Sequence, residues 1–395
     1  MLKRKNKQNN TDEAVKATLF EESESARASK NEKYEKIPVI CYVTLAFALI
    51  CAIIYLISCF NESFADFINS TLGLGTRFLL AQLSNAVRFS FAEFIILLSP
   101  VLFAVGVWYL LKYRCVSMRA SLVSTVCVLS VLSIFLSTFV LCLGTGYRTT
   151  SLEEKLELAA VPIDKTELSA STEYLIDRIN ELSPNTEYNE EGFSKMPYSF
   201  EEMNRKLISA YDSASEEYDF ITNFYSRLKP VMASEIMTYA HIAGVYSFFT
   251  GESNINVNLP DYTIPFTAAH ELAHQRGIAR EDEANMMAFL VCIRSDDPYI
   301  KYSAYLNMFE YVGSALKKAD SKEFKRLSGE LDQNVRIELV AYNNFFKKYE
   351  KSVSSQVSST VNDVYLKAQG TEGKKSYGMV VDLTVAYFKS QKIIE

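Results

Sequence analysis

Three long apolar segments near the N-terminus constrain the fold of this chain more than any other feature. They cover residues 37–60, 91–111 and 121–143. A helix rises 1.5 Å per residue, so each segment is long enough to cross a hydrocarbon layer about 30 Å thick. About 36 largely polar residues precede the first segment, which is too long for the core of a signal peptide. The sequence therefore predicts three transmembrane helices, the first of them an anchor rather than a cleaved leader.

Basic residues indicate how these spans are oriented. The loop between the second and third spans contains Lys112, Arg114 and Arg119 and no acidic residue. Cytoplasmic loops of membrane proteins are enriched in Lys and Arg, so this loop is predicted to be cytoplasmic. Three spans then place the rest of the chain outside. We expect a multi-pass protein of the cell membrane with a disordered cytoplasmic N-terminus (1–36), a membrane domain (37–143) and an extracytoplasmic domain (144–395).

Charge and cysteine usage limit what the external domain can be. Residues 151–395 carry 26 basic and 37 acidic residues and so a net charge of −11, against +5 for the rest. An acidic domain argues against a nucleic-acid partner. Six of the seven cysteines lie in or beside the spans, and only Cys292 belongs to the external domain. This domain therefore has no internal disulfide, and any metal site must use histidines and carboxylates.

The loop between the first two spans, residues 61–88, is rich in Phe and Leu. It is predicted either to lie on the outer membrane surface as an amphipathic segment or to pack under the external domain. Both alternatives remain open from the sequence.

The external domain is predicted to be mainly α with a small β element. Polar and apolar residues alternate over 254–259, which indicates a short strand. Apolar residues recur at helical spacing in seven further segments: 166–182, 199–228, 233–248, 298–319, 321–351, 355–368 and 376–391.

The sequence His270-Glu271-Leu272-Ala273-His274 is an HExxH box that uses two of the three histidines of the chain. On a helix, residues four apart share a face, so both imidazoles can bind one metal ion. A third protein ligand completes a zinc site that keeps a position open for water. Glu271, beside them, is the predicted general base. Sites of two histidines and a carboxylate also bind other divalent metals.

An acidic stretch after the box offers the third ligand. Gly277 is predicted to end the metal-binding helix in a left-handed conformation. A second helix then begins with Glu281, Asp282 and Glu283, where acids also suit the helix dipole. We favour Glu283 over Glu281 as the ligand, because it lies on the start of a helix that returns across the glycine turn.

The letters HELAHQRG followed by EDEAN resemble an uncharacterised bacterial membrane-protein family, a domain of unknown function with a zincin-type box. They are more distantly similar to the gluzincin metallopeptidases, in which a glutamate of a later helix is the third ligand. The resemblance implies a zincin-like domain with Zn2+ at His270, His274 and Glu283 and with Glu271 as base. Many gluzincins have an aspartate four residues after the ligand glutamate, where this chain has Met287. The metzincins have a histidine where this chain has Arg280, so a metzincin site is excluded.

These features favour a membrane-anchored zinc-dependent metallopeptidase that hydrolyses peptide bonds outside the cytoplasmic membrane. Its partners would be the lipid bilayer and a peptide or protein substrate. By the same resemblance, segment 252–258 is either an edge strand that pairs with substrate or an ordinary structural strand. Arg280 or a tyrosine is expected to stabilise the oxyanion. The alternatives are a non-catalytic zinc-binding structural or signalling membrane protein, and an enzyme that hydrolyses a non-peptide amide of the cell envelope.

Overall fold

The computed structural model describes residues 36–158, 163–349, 353–369 and 376–394. The segment predicted to be disordered, 1–36, therefore lies outside the described residues except for Lys36. Helices dominate the described chain and strands are few, which confirms the predicted fold class of three N-terminal apolar helices followed by a helical domain. In chain order the first helices are α1 (Val39–Ser58), α2 (Glu62–Ile68), α3 (Leu74–Ser84), α4 (Phe91–Arg114) and α5 (Met118–Cys142).

Helices α1, α4 and α5 are long and apolar enough to cross a membrane, as predicted. Their ends differ from the predicted ends by a few residues, because hydropathy does not locate the capping residues of a helix. Pro100 lies inside α4, a position that membrane helices tolerate. The three helices indicate that the protein associates with a membrane.

The chain divides into two compact units. Of the described residues, the first unit comprises 36–51 and 97–137, which include most of α1, α4 and α5. The second comprises residues 52–96 and 138–395, so it holds one end of each span together with the remaining chain. The boundaries at residues 36 and 143 stay predictions.

The second unit continues with short and long helices around a small sheet. Its remaining elements are α6 (Leu152–Lys155), α7 (Lys165–Leu182), α8 (Phe200–Glu217), β1 (Lys229–Pro230), α9 (Ser234–Tyr239), β2 (Gly244–Ser247), β3 (Glu252–Ile255), α10 (Thr263–Gln275), α11 (Glu281–Ile293), α12 (Pro298–Ala319), α13 (Ser321–Ser328), α14 (Gln333–Lys347), α15 (Val353–Ala368) and α16 (Ser376–Ser390).

Local capping explains several helix starts. Asp164 and Glu167 form a capping box at the start of α7. The Asp297 side chain accepts backbone N–H groups at the start of α12, where Pro298 is the first helical residue. Both arrangements satisfy N–H groups that have no partner within the helix. The predicted helix 298–319 is therefore found at its predicted bounds.

Three predicted helices differ from the observed ones. The segment 199–228 is helical only to Glu217, after which Tyr218 takes an extended conformation. The segment 321–351 is split into α13 and α14, with Asp332 capping the second helix. The segment 233–248 is wrong as one helix, because His241 has a φ of 55° and the chain then continues as β2.

The strands form one sheet in the order β1-β3-β2, with β1 parallel and β2 antiparallel to β3. All four residues of β3 are buried. The strand predicted at 254–259 thus lies at 252–255, and it is the central strand of the sheet. Of the two alternatives for 252–258, the edge strand is excluded, because β1 and β2 flank β3, and the structural strand is the one observed, over 252–255.

Helix α10 lies in the middle of the core. Ala268, Ala269, Leu272 and Ala273 are fully buried, and the small side chains of the three alanines allow neighbouring elements to approach closely. The Ser253 hydroxyl of β3 donates to the Glu271 carbonyl at 2.9 Å. Contacts with the sheet and with α11 and α12 therefore fix the orientation of the helix that carries the HExxH box.

Candidate metal centre

The end of α10 is shaped by the residues that follow the box. Helix α10 ends at Gln275, and Gly277 has a φ of +100°, as predicted for a left-handed stop. A Cβ at this position would also lie only 2.6 Å from the Arg77 guanidinium. Gly277 thus reverses the chain at a position with no room for a side chain, and α11 returns alongside α10.

The two histidines face each other with their ring nitrogens in position to share an ion. His274 Nδ1 donates to the Ile278 carbonyl at 2.7 Å. Because that nitrogen carries the proton, Nε2 of the neutral ring has a free lone pair. His270 Nε2 lies 3.0 Å from His274 Nε2. The backbone thus selects the tautomer of His274 that a metal ion requires.

Glu281 completes the cluster. Its carboxylate oxygens lie 3.3 Å from His270 Nε2 and 3.8 Å from His274 Nε2. One potential ligand atom from each of the three residues lies within 4.8 Å of the others. Among the described residues, this is the one group of three or more histidine, cysteine or acidic side chains with such geometry. Two imidazoles and a carboxylate are the donor set of many catalytic zinc sites.

The choice of Glu283 as third ligand is corrected by the structure. Glu283 Oε1 accepts hydrogen bonds from Leu152 N at 2.8 Å and from Arg280 at 2.6 Å. Two residues along a helix correspond to a rotation of about 200° about its axis, so Glu281 and Glu283 project from nearly opposite sides of α11. Glu283 therefore holds the start of α6, and the less favoured candidate, Glu281, lies beside the histidines.

Glu271 is buried against β2. A Cβ at Gly244 would lie 2.6 Å from Glu271 Oε1, and the backbone N–H of Tyr246 donates to the carboxylate. Glu271 Oε2 is buried and accepts no hydrogen bond from the described residues. Burial raises the pKa of Glu271 to about 8, against the lowering effect of His270 and with the charge of Glu281 acting in the same direction. A raised pKa makes the carboxylate a stronger proton acceptor, and one of its oxygens has no donor among the described residues.

The electrostatic environments of the two histidines differ. Burial lowers the pKa of His274 to about 4 despite the nearby charge of Glu281, which keeps its ring neutral. Burial also lowers the pKa of His270, but hydrogen bonding to Glu281, the charges of Glu281 and Glu271, and the neighbouring Asn285 side chain outweigh this effect and raise it. Asn285 is thus a neighbour of His270, whose buried Nδ1 has no hydrogen-bond partner among the described residues. Asn285 lies four residues after Glu281, the position at which Met287 follows Glu283.

A cavity of about 2170 Å³ opens in front of these side chains. The three residues of the cluster and Glu271 line it, together with Gly244, Val245 and Tyr246 of β2. Tyr365 of α15 also lines it, and burial raises the pKa of this phenol to about 12, with the Glu281 charge contributing.

Arg280 does not face the cluster. Its guanidinium donates to Glu283 and to the Thr149 carbonyl, each at 2.6 Å. The third histidine, His241, lines the same cavity, and its Nε2 lies 3.2 Å from the Tyr349 carbonyl. Neither side chain belongs to the cluster.

The sequence pattern does not reveal that β2, Asn285 and α15 line the cavity beside the cluster. Val245 and Tyr246, which favour strands, stand between a glycine and a serine, a signal too weak to separate this segment from the predicted helix 233–248. Asn285 could have been found by counting four residues from Glu281 instead of Glu283. Nothing local to α15 indicates that Tyr365 reaches the cavity, because about 90 residues separate it from the box.

Comparison with known proteins gives a family but no activity. The model of a family described as "Protein of unknown function (DUF3810)" matches residues 70–385. No curated protein and no solved structure matches the chain. The matched range covers the sheet and both helices of the metal cluster.

Proposed function

The chain belongs to this family of unknown function, and we propose that it is a membrane-anchored, zinc-dependent metallopeptidase. The observation that carries the proposal is the arrangement of His270, His274 and Glu281 beside a buried Glu271. The three potential ligand atoms lie within 4.8 Å of one another, and the acid that could act as base has an oxygen without a donor among the described residues.

The residues present fit a zinc ion. His274 is held in the tautomer with a free Nε2 by the Ile278 carbonyl. The carboxylate of Glu281 supplies the negative charge that two neutral imidazoles lack. Zinc bound by such a set acts as a Lewis acid toward a carbonyl and lowers the pKa of water to about 7.

Glu271 carries the proton transfers in this proposal. Its Oε2 takes a proton from the attacking water and delivers it to the amine that leaves the broken peptide bond. Gly244 and the Tyr246 N–H hold the carboxylate in place from the side of β2.

The substrate is proposed to bind along β2. Asn256 N donates to the Ala243 carbonyl at 2.9 Å, and β2 pairs with β3 in the same register. Bonded and non-bonded pairs alternate in an antiparallel ladder, so the N–H and C=O groups of Gly244 and Tyr246 point away from β3. The backbone N–H and C=O of Gly244 and the C=O of Tyr246 can pair with an extended peptide. The cavity also exceeds the roughly 300–1,000 Å³ of small-molecule pockets.

Tyr365 is the proposed donor to the oxyanion. Its raised pKa keeps the phenol protonated, and it lines the cavity that contains the cluster. Arg280, the other candidate, is engaged by Glu283 and Thr149. Substitution Tyr365→Phe should lower kcat while KM and metal content stay unchanged; an unaltered kcat excludes this role.

One experiment tests the metal and the chemistry together. The full-length protein is purified in lipid nanodiscs, its zinc content is measured, and a quenched-fluorescence peptide library is used as substrate. We expect about one zinc ion per wild-type chain. Glu271→Gln should keep the zinc and lose hydrolysis. Glu281→Gln should lower zinc affinity by more than roughly 100-fold, because loss of outer residues alone costs 10–100-fold.

Glu283→Gln is the matched control, since Glu283 is a buried acid two residues away that faces α6. It should retain zinc. A wild-type protein without stoichiometric divalent metal contradicts the proposal. Retained zinc with no effect of Glu271→Gln on any cellular phenotype supports the alternative of a non-catalytic structural or signalling protein. Cleavage of envelope amides but not of peptides supports the non-peptide substrate.

The helical domain is proposed to face outward, on the strength of the basic loop between α4 and α5. Two exposed cysteines allow a direct test: Cys59 follows α1, and Cys115 lies in that loop. A membrane-impermeant maleimide should label intact cells through Cys59, so Cys59→Ser removes the label and Cys115→Ser does not. The reverse result places the domain in the cytoplasm.

A further inference from the structure

The chain between the first two spans forms a two-sided helical segment. It consists of α2, a π-helical turn (Asn69–Gly73) and α3, and it is called the wedge below. All of its residues belong to the second unit. Cys59, Phe60 and Asn61 alone separate it from α1, and residues 85–90 separate it from α4. Both ends of the wedge are thus tied closely to spans.

The inner face of the wedge packs on the helical domain. Ala65, Ile68, Arg77, Ala81 and Ser84 are buried, and the last three follow helical spacing. Arg77 is 1% exposed, and its guanidinium donates to the Asn69 side chain at 2.8 Å and to the Leu141 carbonyl at 3.3 Å. A buried charge is tolerated only with such partners. The one charged residue between Phe67 and Val87 is therefore turned inward.

Polar contacts join the wedge to the helical domain, and one of them reaches the turn that follows α10. Asn69 Nδ2 donates to the Gly277 carbonyl at 3.1 Å. Gln82 donates to the Tyr225 carbonyl at 2.9 Å, and Asp66 pairs with Lys155 at 3.3 Å. The wedge thus packs under the domain, which is one of the two alternatives left open by the sequence.

The outer face is apolar and has no partner among the described residues. Phe67, Leu72, Leu79 and Leu83 are 53–63% exposed. The hydroxyls nearby need no water, because they donate to carbonyls of their own helix. Ser70 donates to the Asp66 carbonyl and Thr76 to the Leu72 carbonyl, both at 2.7 Å. Such hydroxyls are compatible with lipid.

We propose that this outer face is embedded in the interfacial layer of the lipid bilayer. An amphipathic helix inserts its apolar face about 5–10 Å into the boundary between headgroups and acyl chains. Chain continuity with α1 and α4 keeps the wedge beside the membrane, and an uncharged leucine face is the chemistry that lipid accepts. Both alternatives suggested by the sequence then hold at once, one for each face.

The arrangement ties the metal centre to the membrane surface. The turn Arg276–Gly277 begins two residues after His274, and Asn69 of the wedge donates to the Gly277 carbonyl. The wedge therefore connects this end of α10 to the bilayer. This inference does not depend on the proposed peptidase activity, because it concerns lipid contact alone.

Tryptophan fluorescence tests the proposal. The chain has one tryptophan, Trp108 in α4, so Trp108→Phe gives a silent background. Leu72→Trp and Leu79→Trp are then compared with Val340→Trp, a 61% exposed position of α14. Each full-length variant is reconstituted into vesicles that contain brominated phosphatidylcholine. Because all three positions are exposed, the substitutions should not disturb the core.

We expect brominated lipid to quench Leu72→Trp and Leu79→Trp at least twofold more than Val340→Trp, and acrylamide to show the opposite order. Equal access of acrylamide to all three positions overturns the proposal. Protection of the wedge tryptophans from both quenchers also overturns it, because protein, such as a second copy of the chain, would then cover this face. None of these outcomes depends on bound metal or hydrolysis.

Discussion

Two buried glutamates of the second unit, Glu271 and Glu338, have opposite surroundings. Glu338 of α14 is fully buried and accepts hydrogen bonds from the Ser194 N–H at 2.8 Å, the Ser194 hydroxyl at 2.6 Å and the Tyr302 hydroxyl at 2.6 Å. Glu271 is 5% exposed, and its Oε2 accepts no hydrogen bond from the described residues. Both lie on helices, and burial raises the pKa of both.

The difference separates a carboxylate that supports the fold from one that we propose as a general base. A buried polar group without its hydrogen bond costs about 1–3 kcal/mol, so folded proteins seldom leave one. Around Glu338 the fold supplies donors to both oxygens. Glu271 instead faces a cavity lined by two imidazoles, and Gly244 allows β2 to approach its carboxylate. An oxygen left without a donor beside a metal-ligand cluster is what a proton acceptor requires.

The largest expected effects come from exchanging each of these two glutamates for glutamine, which tests whether their roles differ. Glu271→Gln should lower the hydrolysis rate by about 10²–10⁴, the range of general base catalysis, with no loss of thermal stability. Glu338→Gln should lower the free energy of unfolding by about 1–3 kcal/mol, because its amide faces donors, and leave the rate per folded molecule unchanged. Peptide hydrolysis and thermal unfolding measure the two effects. The reverse pattern would assign the two roles the other way round.

Adding one methyl group beside Glu271 sharpens the comparison. In Gly244→Ala the new Cβ would lie 2.6 Å from Glu271 Oε1, so the carboxylate must move. A displacement near 1 Å costs about 100-fold in rate, and we expect up to that loss with zinc content unchanged. Gly75→Ala is the control, since a Cβ there meets nothing within 4 Å. Full activity in Gly244→Ala would show that β2 does not position the base.

Removing Asn285, the side chain beside His270, should have the smallest effect. Asn285→Ala is expected to lower zinc affinity by about 10–100-fold, whereas Asn285→Asp keeps an acceptor and should retain most of it. Asn307→Ala is the matched control, because Asn307 lines the same cavity but donates to the Ser303 carbonyl at 2.8 Å. Equal zinc affinity in both alanine variants contradicts the role of Asn285.

Features that depend on local pattern were predicted well. Length and hydropathy gave the three spans, apolar residues at helical spacing gave α12 at its observed bounds, and the glycine at 277 gave the end of α10. The HExxH spacing alone placed His270 and His274 on one face, because helix geometry is the same wherever a helix packs.

Features that depend on packing between distant segments were predicted poorly. The choice between Glu281 and Glu283 depends on how α11 is rotated against α10, which contacts with α6 and Arg280 determine. Strand β2 exists because it pairs with β3, and four residues carry too little periodicity to show it. The position of β3 as the central strand required knowledge of β1, which pairs from more than 20 residues upstream.

The sequence by itself determined the membrane spans, the mainly helical class, two of the three metal-binding candidates and the proposed base. Each follows from side-chain chemistry and from intervals of a few residues along one helix. Tertiary structure alone decided the third member of the cluster, the strand that lies against Glu271 and the two faces of the wedge. These depend on which side of an element is covered, and that is fixed by the free energy of packing segments that are far apart in the chain.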